Sequence, residues 1–219
     1  MRRVNDIAHH FLGAAQVAGR LITAPEVTAR WVDESACAGM TVGGLASHLA
    51  GQAANVVQLF GTAPGEHEPI ALVEHYRRAD WVTSGPEDEP NTSIRDESNE
   101  DAAGGPEALA QEVQRDLAAL PAVLEATLAG ERRPDTVFVP WQGWALTSED
   151  FLVTRLMEIM VHSDDLAASV GLPTPEFSEP VVRAVLGLLS AVAVDRHGQT
   201  AVLRALSRPQ RAPDHVSAF

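Results

Sequence analysis

The stretch SEDFLVTRLMEIMVHSDDLAASV, residues 148–170, decides the fold of this chain. Its apolar side chains recur at steps of three and four residues, which places them on one buried face of an α-helix. Thr147 or Ser148 can cap the start of this helix, and Gly171, with Pro173 beyond it, ends it. Outside the short segment Thr136–Val139, no stretch of the chain sustains the alternation of a half-buried strand. The sequence therefore predicts an all-α protein.

The same helix carries a polar stripe beside its apolar one. Helical steps place on this stripe Phe151, Arg155, Glu158, His162, Asp165 and Ser169. Glu158 and His162 lie one turn apart, so a single divalent metal can bind both side chains. A third ligand must come from elsewhere in the chain, and His48 is the best candidate. The alternative is a polar stripe that faces solvent and has no function.

Four further segments have a helical period and begin or end at capping or breaking residues. They are Val4–Ile22, Thr41–Phe60, Glu107–Leu128 and Glu179–Asp195. Thr41 is expected to cap the second of these helices, and Pro121 is expected to kink the third. Together with the helix over residues 148–170, they predict a four-helix bundle with an additional C-terminal helix and a short tail.

Three segments have weaker patterns. Ile70–Val82 is expected to form a short sixth helix, and Thr136–Val139 a short strand or an extended arm. Residues 84–105 contain seven acidic residues and one arginine, which is typical of a solvated, mobile loop. A lid over a functional site is the alternative interpretation of this acidic segment.

Composition excludes several classes of function. The net charge of −14 opposes binding to nucleic-acid phosphates and to anionic membrane surfaces. The single cysteine, Cys37, rules out an internal disulfide and fits a reducing compartment. The chain has no lysine, which excludes Schiff-base chemistry. No apolar run approaches the roughly 20 residues that span a bilayer, and we expect a cytoplasmic protein.

Spacing alone leaves the role of His48 open. It lies among leucines and alanines of the predicted second helix, and Gln52 follows it one turn later. A histidine in such surroundings is more often a hydrogen-bonded core residue than a metal ligand. Cys37 is not expected to be a fourth ligand, because a continuous helix would separate it from His48 by about 16 Å along the axis. It is expected to pack as a small apolar side chain. His75 falls in weakly patterned sequence and is expected to face solvent.

Two runs of sequence, in this order, carry a resemblance to a known family. The first is TVGGLASHLA, residues 41–50, preceded by Trp31 and Ser35. The second is PWQGWALTSEDFLVTRLMEIMVHSDDLA, residues 140–167. Both runs resemble blocks of the mycothiol-dependent maleylpyruvate isomerase family, and their pairing is more specific than either run alone. The resemblance implies a DinB-like four-helix bundle over residues 1–172.

The resemblance also implies a site and a chemistry. It implies a divalent metal, usually zinc, held by His48, Glu158 and His162, with mycothiol, the low-molecular-weight thiol of actinobacteria, as cosubstrate. The metal would activate the thiol for S-transfer to a small electrophile or for isomerisation of it. Asp165 is expected to orient His162, although Ser163 is an alternative. Arg155 and Gln52 are candidates for contact with the substrate or with mycothiol. The alternative for Arg155 is an ion pair within the helix or a buried contact with Asp165.

Residues 173–219 are too few for the separate second domain that the resemblance implies for maleylpyruvate isomerases. We expect them to form a helical extension packed on the bundle. The resemblance therefore supplies no particular substrate. Two other functions stay open: a non-catalytic sensor that binds metal or thiol, and a metal-dependent hydrolase on the same bundle.

Overall fold

Helix α9 (Ser148–Val170) forms over the whole of the stretch that predicts it. The computed structural model describes residues 2–63 and 65–219 of the chain. The Thr147 hydroxyl oxygen accepts a hydrogen bond from the Asp150 backbone N–H at 3.0 Å, which caps the first turn. Gly171 ends α9 with a left-handed backbone, φ +75°, that glycine adopts without strain.

Ten further helices and two short strands surround or extend this element. The helices are α1 (Arg2–Ile22), α2 (Pro25–Ala29), α3 (Val42–Gly61), α4 (Leu72–Arg78), α5 (Asp80–Thr83), α6 (Glu89–Asp101), α7 (Gly105–Val123), α8 (Glu125–Leu128), α10 (Glu179–His197) and α11 (Gln199–Ser207), counted over the described residues. The strands are β1 (Thr136–Val139) and β2 (Trp144–Thr147), which pair antiparallel.

Helices α1, α3, α7 and α9 form the predicted bundle. Neighbouring helices pack in a closed ring, α1 on α9, α9 on α3, α3 on α7 and α7 on α1. Fully buried side chains such as Phe11, Leu45, Leu49, Leu156 and Ile159 fill the space between them. Their removal from water is the main favourable term in folding. The all-α, DinB-like fold class is confirmed.

Several local predictions are also confirmed. The Thr41 hydroxyl oxygen accepts a hydrogen bond from the Gly44 backbone N–H at 2.9 Å and so caps α3. The long third helix is interrupted as expected after Pro121, since α7 ends at Val123 and α8 begins at Glu125. Helix α10 packs on α9 and α1. The division of the chain at residue 172 into two units stays a prediction.

The acidic segment differs from its prediction. Residues 89–101 form α6, which packs against α3 and is not a loop. Asn99 anchors it, because its side-chain oxygen accepts from the Thr41 backbone N–H at 2.9 Å and its amide nitrogen donates to the Gly39 carbonyl at 2.9 Å. Hydrogen bonds of this kind cannot be detected in the pattern of charge or hydropathy along the sequence. The prediction of a loop was wrong for this reason.

Two glycines allow the close approach of these elements to α3. A Cβ on Gly43 would lie 2.5 Å from the Trp31 ring, and a Cβ on Gly44 would lie 2.3 Å from the Asn99 side-chain oxygen. Trp31 is held in turn by its indole N–H, which donates to the Ala102 carbonyl at 3.2 Å. Trp31 and Asn99 therefore pack so closely on the first turn of α3 that only glycine fits at positions 43 and 44.

Two smaller features lie beside the bundle. The segment Ile70–Val82 is helical as expected but is split into α4 and α5. The predicted strand Thr136–Val139 forms, and it pairs with β2, which the sequence did not reveal. The Ile70 backbone N–H donates to the Ala145 carbonyl at 2.9 Å, so the hairpin is tied to the segment that leads into α4. Among the described residues, none of the helices combines the length and the apolar character needed to cross a membrane.

Candidate metal centre

Three side chains converge in the seam between α3 and α9. Oε2 of Glu158 lies 3.1 Å from Nε2 of His162 and 3.7 Å from Nε2 of His48. The two imidazole rings meet edge to face, with 4.8 Å between their centroids. One ligand atom from each of the three residues fits within a 4.8 Å span. The bundle thus brings together the three residues that the sequence analysis named.

Local packing explains this convergence. Glu158 and His162 share one face of α9 because they are one turn apart. Leu45 and Leu49 on α3 and Ile159 on α9 are all buried in the core, so they fix the rotation of both helices about their axes. With that rotation fixed, His48 faces the Glu158–His162 edge of α9.

His162 is held on its outer side by a carboxylate. Its Nδ1 lies 3.0 Å from Oδ2 of Asp165, one turn further along α9. The Cys37 thiol donates a hydrogen bond to the same oxygen, with 3.4 Å between the two atoms. The expected contact of Asp165 with His162 is therefore present. Cys37 packs on the core as predicted, and it also makes a polar contact that the sequence did not reveal.

His48 is held on its outer side by a residue that the sequence analysis missed. Its Nδ1 lies 3.4 Å from Oγ of Ser98, which is buried on α6. A signal was present, because Ile94, Ser98 and Ala102 are spaced by four residues and share one helix face. That weak stripe was obscured by the acidic residues around it.

Arg155 and Gln52 lie one turn from the three converging residues. Nη1 of Arg155 donates to Oε1 of Gln52 at 2.7 Å, and Nε2 of Gln52 donates to the His48 carbonyl at 2.8 Å. Arg155 also donates from Nε to the Thr154 hydroxyl at 3.1 Å. Both side chains that hold the guanidinium are neutral, so they do not cancel its positive charge. Among the described residues, the hydrogen-bond partners of Arg155 are Thr154 and Gln52, and the alternative of an ion pair with a carboxylate of α9 is not found.

The neighbours of Glu158 and His162 stabilise the charged forms of both side chains. Burial alone would raise the pKa of Glu158, but hydrogen bonds with His162 and His48 and the charge of Arg155 hold that pKa well below its usual range. Burial alone would lower the pKa of His162, but contacts with Asp165, Cys37 and Glu158 raise it well above its usual value. Glu158 is therefore ionised and ready to bind a cation.

His75 contradicts its prediction, because it is buried, with only 4% of its surface exposed. Its Nδ1 accepts a hydrogen bond from the Trp144 indole N–H at 3.0 Å. Burial, and then the positive charge of Arg155, lower its pKa to about 4. His75 is therefore neutral at physiological pH, and its burial follows from the packing of α4 against α10.

A comparison with models of known protein families shows the family to which this chain belongs. The family model described as the mycothiol maleylpyruvate isomerase N-terminal domain matches residues 11–167, well over half of the chain. The chain belongs to this family. Searches of curated proteins and of solved structures gave no significant match. Membership in the mycothiol maleylpyruvate isomerase family implies a metal-binding, DinB-like bundle with a relation to mycothiol.

The residues of this family member fit a divalent metal. Two imidazole nitrogens and one carboxylate oxygen form a donor set that suits zinc and related ions. Three protein ligands leave coordination positions free, which is typical of catalytic rather than structural sites. A second group, formed by Cys37, His162 and Asp165, also brings its donor atoms within 4.8 Å of one another. The assignment of His48, Glu158 and His162 as the ligands stays a prediction.

Proposed function

We propose that this chain is a metal-dependent and mycothiol-dependent enzyme that activates a thiol for S-transfer to a small electrophile or for isomerisation of it. The observation that carries the proposal is the convergence of His48, Glu158 and His162 within a bundle of the mycothiol maleylpyruvate isomerase family. Mycothiol is a soluble thiol of the reducing cytoplasm, and we place the enzyme there.

His48, Glu158 and His162 would hold the ion, with zinc as the expected metal. Two neutral imidazoles and one carboxylate leave a divalent ion with a net positive charge, and such an ion supplies deprotonation of a thiol that coordinates it. The thiolate, not the thiol, is the competent nucleophile. The three residues thus account for the dependence on both a metal and a thiol.

The other residues of the seam have separate roles in this proposal. Arg155 is held by Gln52 and Thr154 and keeps its positive charge, so it is placed to bind an oxygen of the electrophile or of mycothiol. Gln52 fixes Arg155 relative to the His48 backbone. Asp165 holds the imidazole of His162 in one orientation. The buried leucines of α3 and α9 keep water away from the inner side of the site.

The first test is the metal content of the full chain, purified without chelators and measured by inductively coupled plasma mass spectrometry. We expect about one divalent ion per chain in the unaltered protein and a loss of it in His48→Ala and in His162→Ala. His9→Ala is the matched control, because this exposed histidine lies on α1 away from the seam. Full metal retention in either seam variant would contradict the ligand assignment.

The second test separates the three possible functions. The metal-loaded protein is assayed for conjugation of monochlorobimane with and without mycothiol. Turnover that needs both the metal and mycothiol supports the proposal. Tight binding of mycothiol without turnover of any electrophile would indicate a sensor, and hydrolysis of a substrate without thiol would indicate a hydrolase.

A further inference from the structure

Each imidazole of the seam has one inner and one outer nitrogen. The inner atoms are the two Nε2 nitrogens, which face Oε2 of Glu158 at 3.1 Å for His162 and 3.7 Å for His48. The outer atoms are the two Nδ1 nitrogens, which face Asp165 and Ser98. A neutral imidazole carries its proton on only one nitrogen, and only the other nitrogen can bind a metal. The partners of the outer nitrogens therefore decide whether the inner nitrogens can act as ligands.

For His162, the outer partner accepts a hydrogen bond and cannot donate one. An ionised carboxylate has no proton, so the 3.0 Å contact with Oδ2 of Asp165 requires a proton on Nδ1 of His162. Nε2 of His162 faces the Glu158 carboxylate at 3.1 Å in the same way, so it also carries a proton when no metal is bound, and a bound metal would take the place of that proton. The Cys37 thiol donates to the same oxygen and restrains the carboxylate from the other side. Cys37 comes from the segment before α3, so this restraint links the two helices of the seam.

For His48, the same conclusion follows from the single proton of a serine hydroxyl. Oγ of Ser98 lies 2.7 Å from the Ile94 carbonyl oxygen and 3.4 Å from Nδ1 of His48. The shorter contact takes the hydroxyl proton, because the carbonyl can only accept. Oγ of Ser98 is then left as an acceptor towards His48, and the proton of the imidazole lies on Nδ1.

We propose that Ser98 and the Cys37–Asp165 pair are positioning residues that keep a proton on Nδ1 of both imidazoles, so that Nε2 is the nitrogen each imidazole offers to a metal beside Glu158. This inference rests on the proposed metal site and assigns a role to α6, the helix formed by the acidic segment. Ser98 reaches the site from a different element than any ligand does. The site is thus completed by α6 and by the segment before α3 that carries Cys37, and not by α3 and α9 alone.

The first experiment measures zinc affinity by competition with a chromophoric chelator on the full chain. We expect Asp165→Ala to lower the affinity by about 10–100-fold, the usual effect of losing such a partner. Asp165→Asn keeps an acceptor and should restore part of the loss. Asp164→Asn is the matched control, since this neighbour on α9 is hydrogen-bonded to Thr174.

The same assay tests the other two positioning residues. Ser98→Ala should give a smaller loss than Asp165→Ala, because a 3.4 Å hydrogen bond is long. Ser93→Ala, the same chemical change on the same helix, is its control. Cys37→Ala should weaken binding, whereas Cys37→Ser keeps a donor and should bind nearly as well as the unaltered chain. Affinities of Ser98→Ala and Asp165→Ala equal to those of their controls would overturn the proposal.

The second readout is one that a purely structural role would not change. Long-range proton–nitrogen NMR of the zinc-loaded, histidine-labelled chain reports which nitrogen of each imidazole carries the proton. We expect Nδ1–H for both His48 and His162. A proton on Nε2 of either residue would refute the proposal for that residue.

Cobalt substitution distinguishes positioning from ligation by Cys37. A sulfur-to-cobalt charge-transfer band that Cys37→Ser abolishes would show that Cys37 is itself a ligand and would overturn the positioning role. The absence of such a band agrees with the proposal. Failure of the unaltered chain to bind zinc at all would refute the metal site itself, whereas zinc binding that no positioning variant weakens would refute this inference alone.

Discussion

His162 and His75 are both enclosed by the protein, yet their surroundings shift their pKa values in opposite directions. His162 lies between two carboxylates, and its pKa is raised despite partial burial. His75 accepts a hydrogen bond from the Trp144 indole N–H, and its burial, followed by the positive charge of Arg155, lowers its pKa to about 4. The first imidazole holds a proton beside Glu158 that a bound metal ion would displace. The second stays neutral and serves packing. The neighbours, and not the residue type, separate a candidate ligand from a structural histidine.

The largest expected effect is the difference in zinc affinity between His162→Ala and His75→Gln. Structural zinc sites release about 10–16 kcal/mol over four ligands, so the loss of one ligand should cost up to roughly 4 kcal/mol, which is close to a thousandfold. His75→Gln keeps an acceptor for the Trp144 indole and should bind zinc like the unaltered chain. Isothermal titration calorimetry measures both. Equal losses of zinc affinity in the two variants would contradict the assignment of His162 as a ligand and of His75 as a structural residue.

The next effect concerns the pH dependence of stability. The folded pKa of His75 is depressed, so the unfolded chain binds more protons between pH 6.5 and about 4. The stability that neutral His75 contributes is therefore fully present above pH 6.5 and is lost as the pH falls towards 4. The loss should approach about 3 kcal/mol, at 1.36 kcal/mol per unit of pKa difference.

Urea unfolding of the chain and of His75→Gln at a series of pH values checks this prediction. The difference between the two curves isolates His75 from the other groups that titrate in the same range. It should be constant above pH 6.5 and should shift by up to about 3 kcal/mol at lower pH. Parallel curves across the whole range would mean that His75 is not held neutral by its surroundings.

The smallest expected effect comes from Arg155, whose positive charge shifts the pKa values of both His75 and Glu158. It lowers the pKa of His75 and also contributes to the low pKa of Glu158. Arg155→Gln should therefore raise the pKa of His75 by a fraction of a unit, measured by NMR titration of the imidazole. Arg204→Gln, an exposed arginine on α11, is the control. An unchanged pKa in Arg155→Gln would indicate that burial alone accounts for the neutrality of His75.

Much of the bundle could be predicted because its helices are long and strongly periodic. Glu158 and His162 could be recognised as a pair because their spacing matches one helical turn. His48 could not be joined to them by spacing, since the register between two helices is set by packing; the resemblance to a family supplied that link. The role of Ser98 and the burial of His75 were missed because they depend on contacts between distant segments. Strand β2 was missed because four residues are too few to show an alternating pattern. A polar helix such as α6 has no strong hydrophobic signal, and its position is set by Asn99 and Ser98.

The glycines of α3 limit how this protein can be stabilised by design. Replacing a helical glycine with alanine commonly gains up to about 1 kcal/mol, and Gly13 and Gly51 suit this change because a Cβ there would meet no atom within 4 Å. The same replacement at Gly43 or Gly44 would push Trp31 or Asn99 away from α3. Helix propensity alone ranks all four positions alike. Two of them would instead detach α6 and, with it, the hydroxyl group that faces His48.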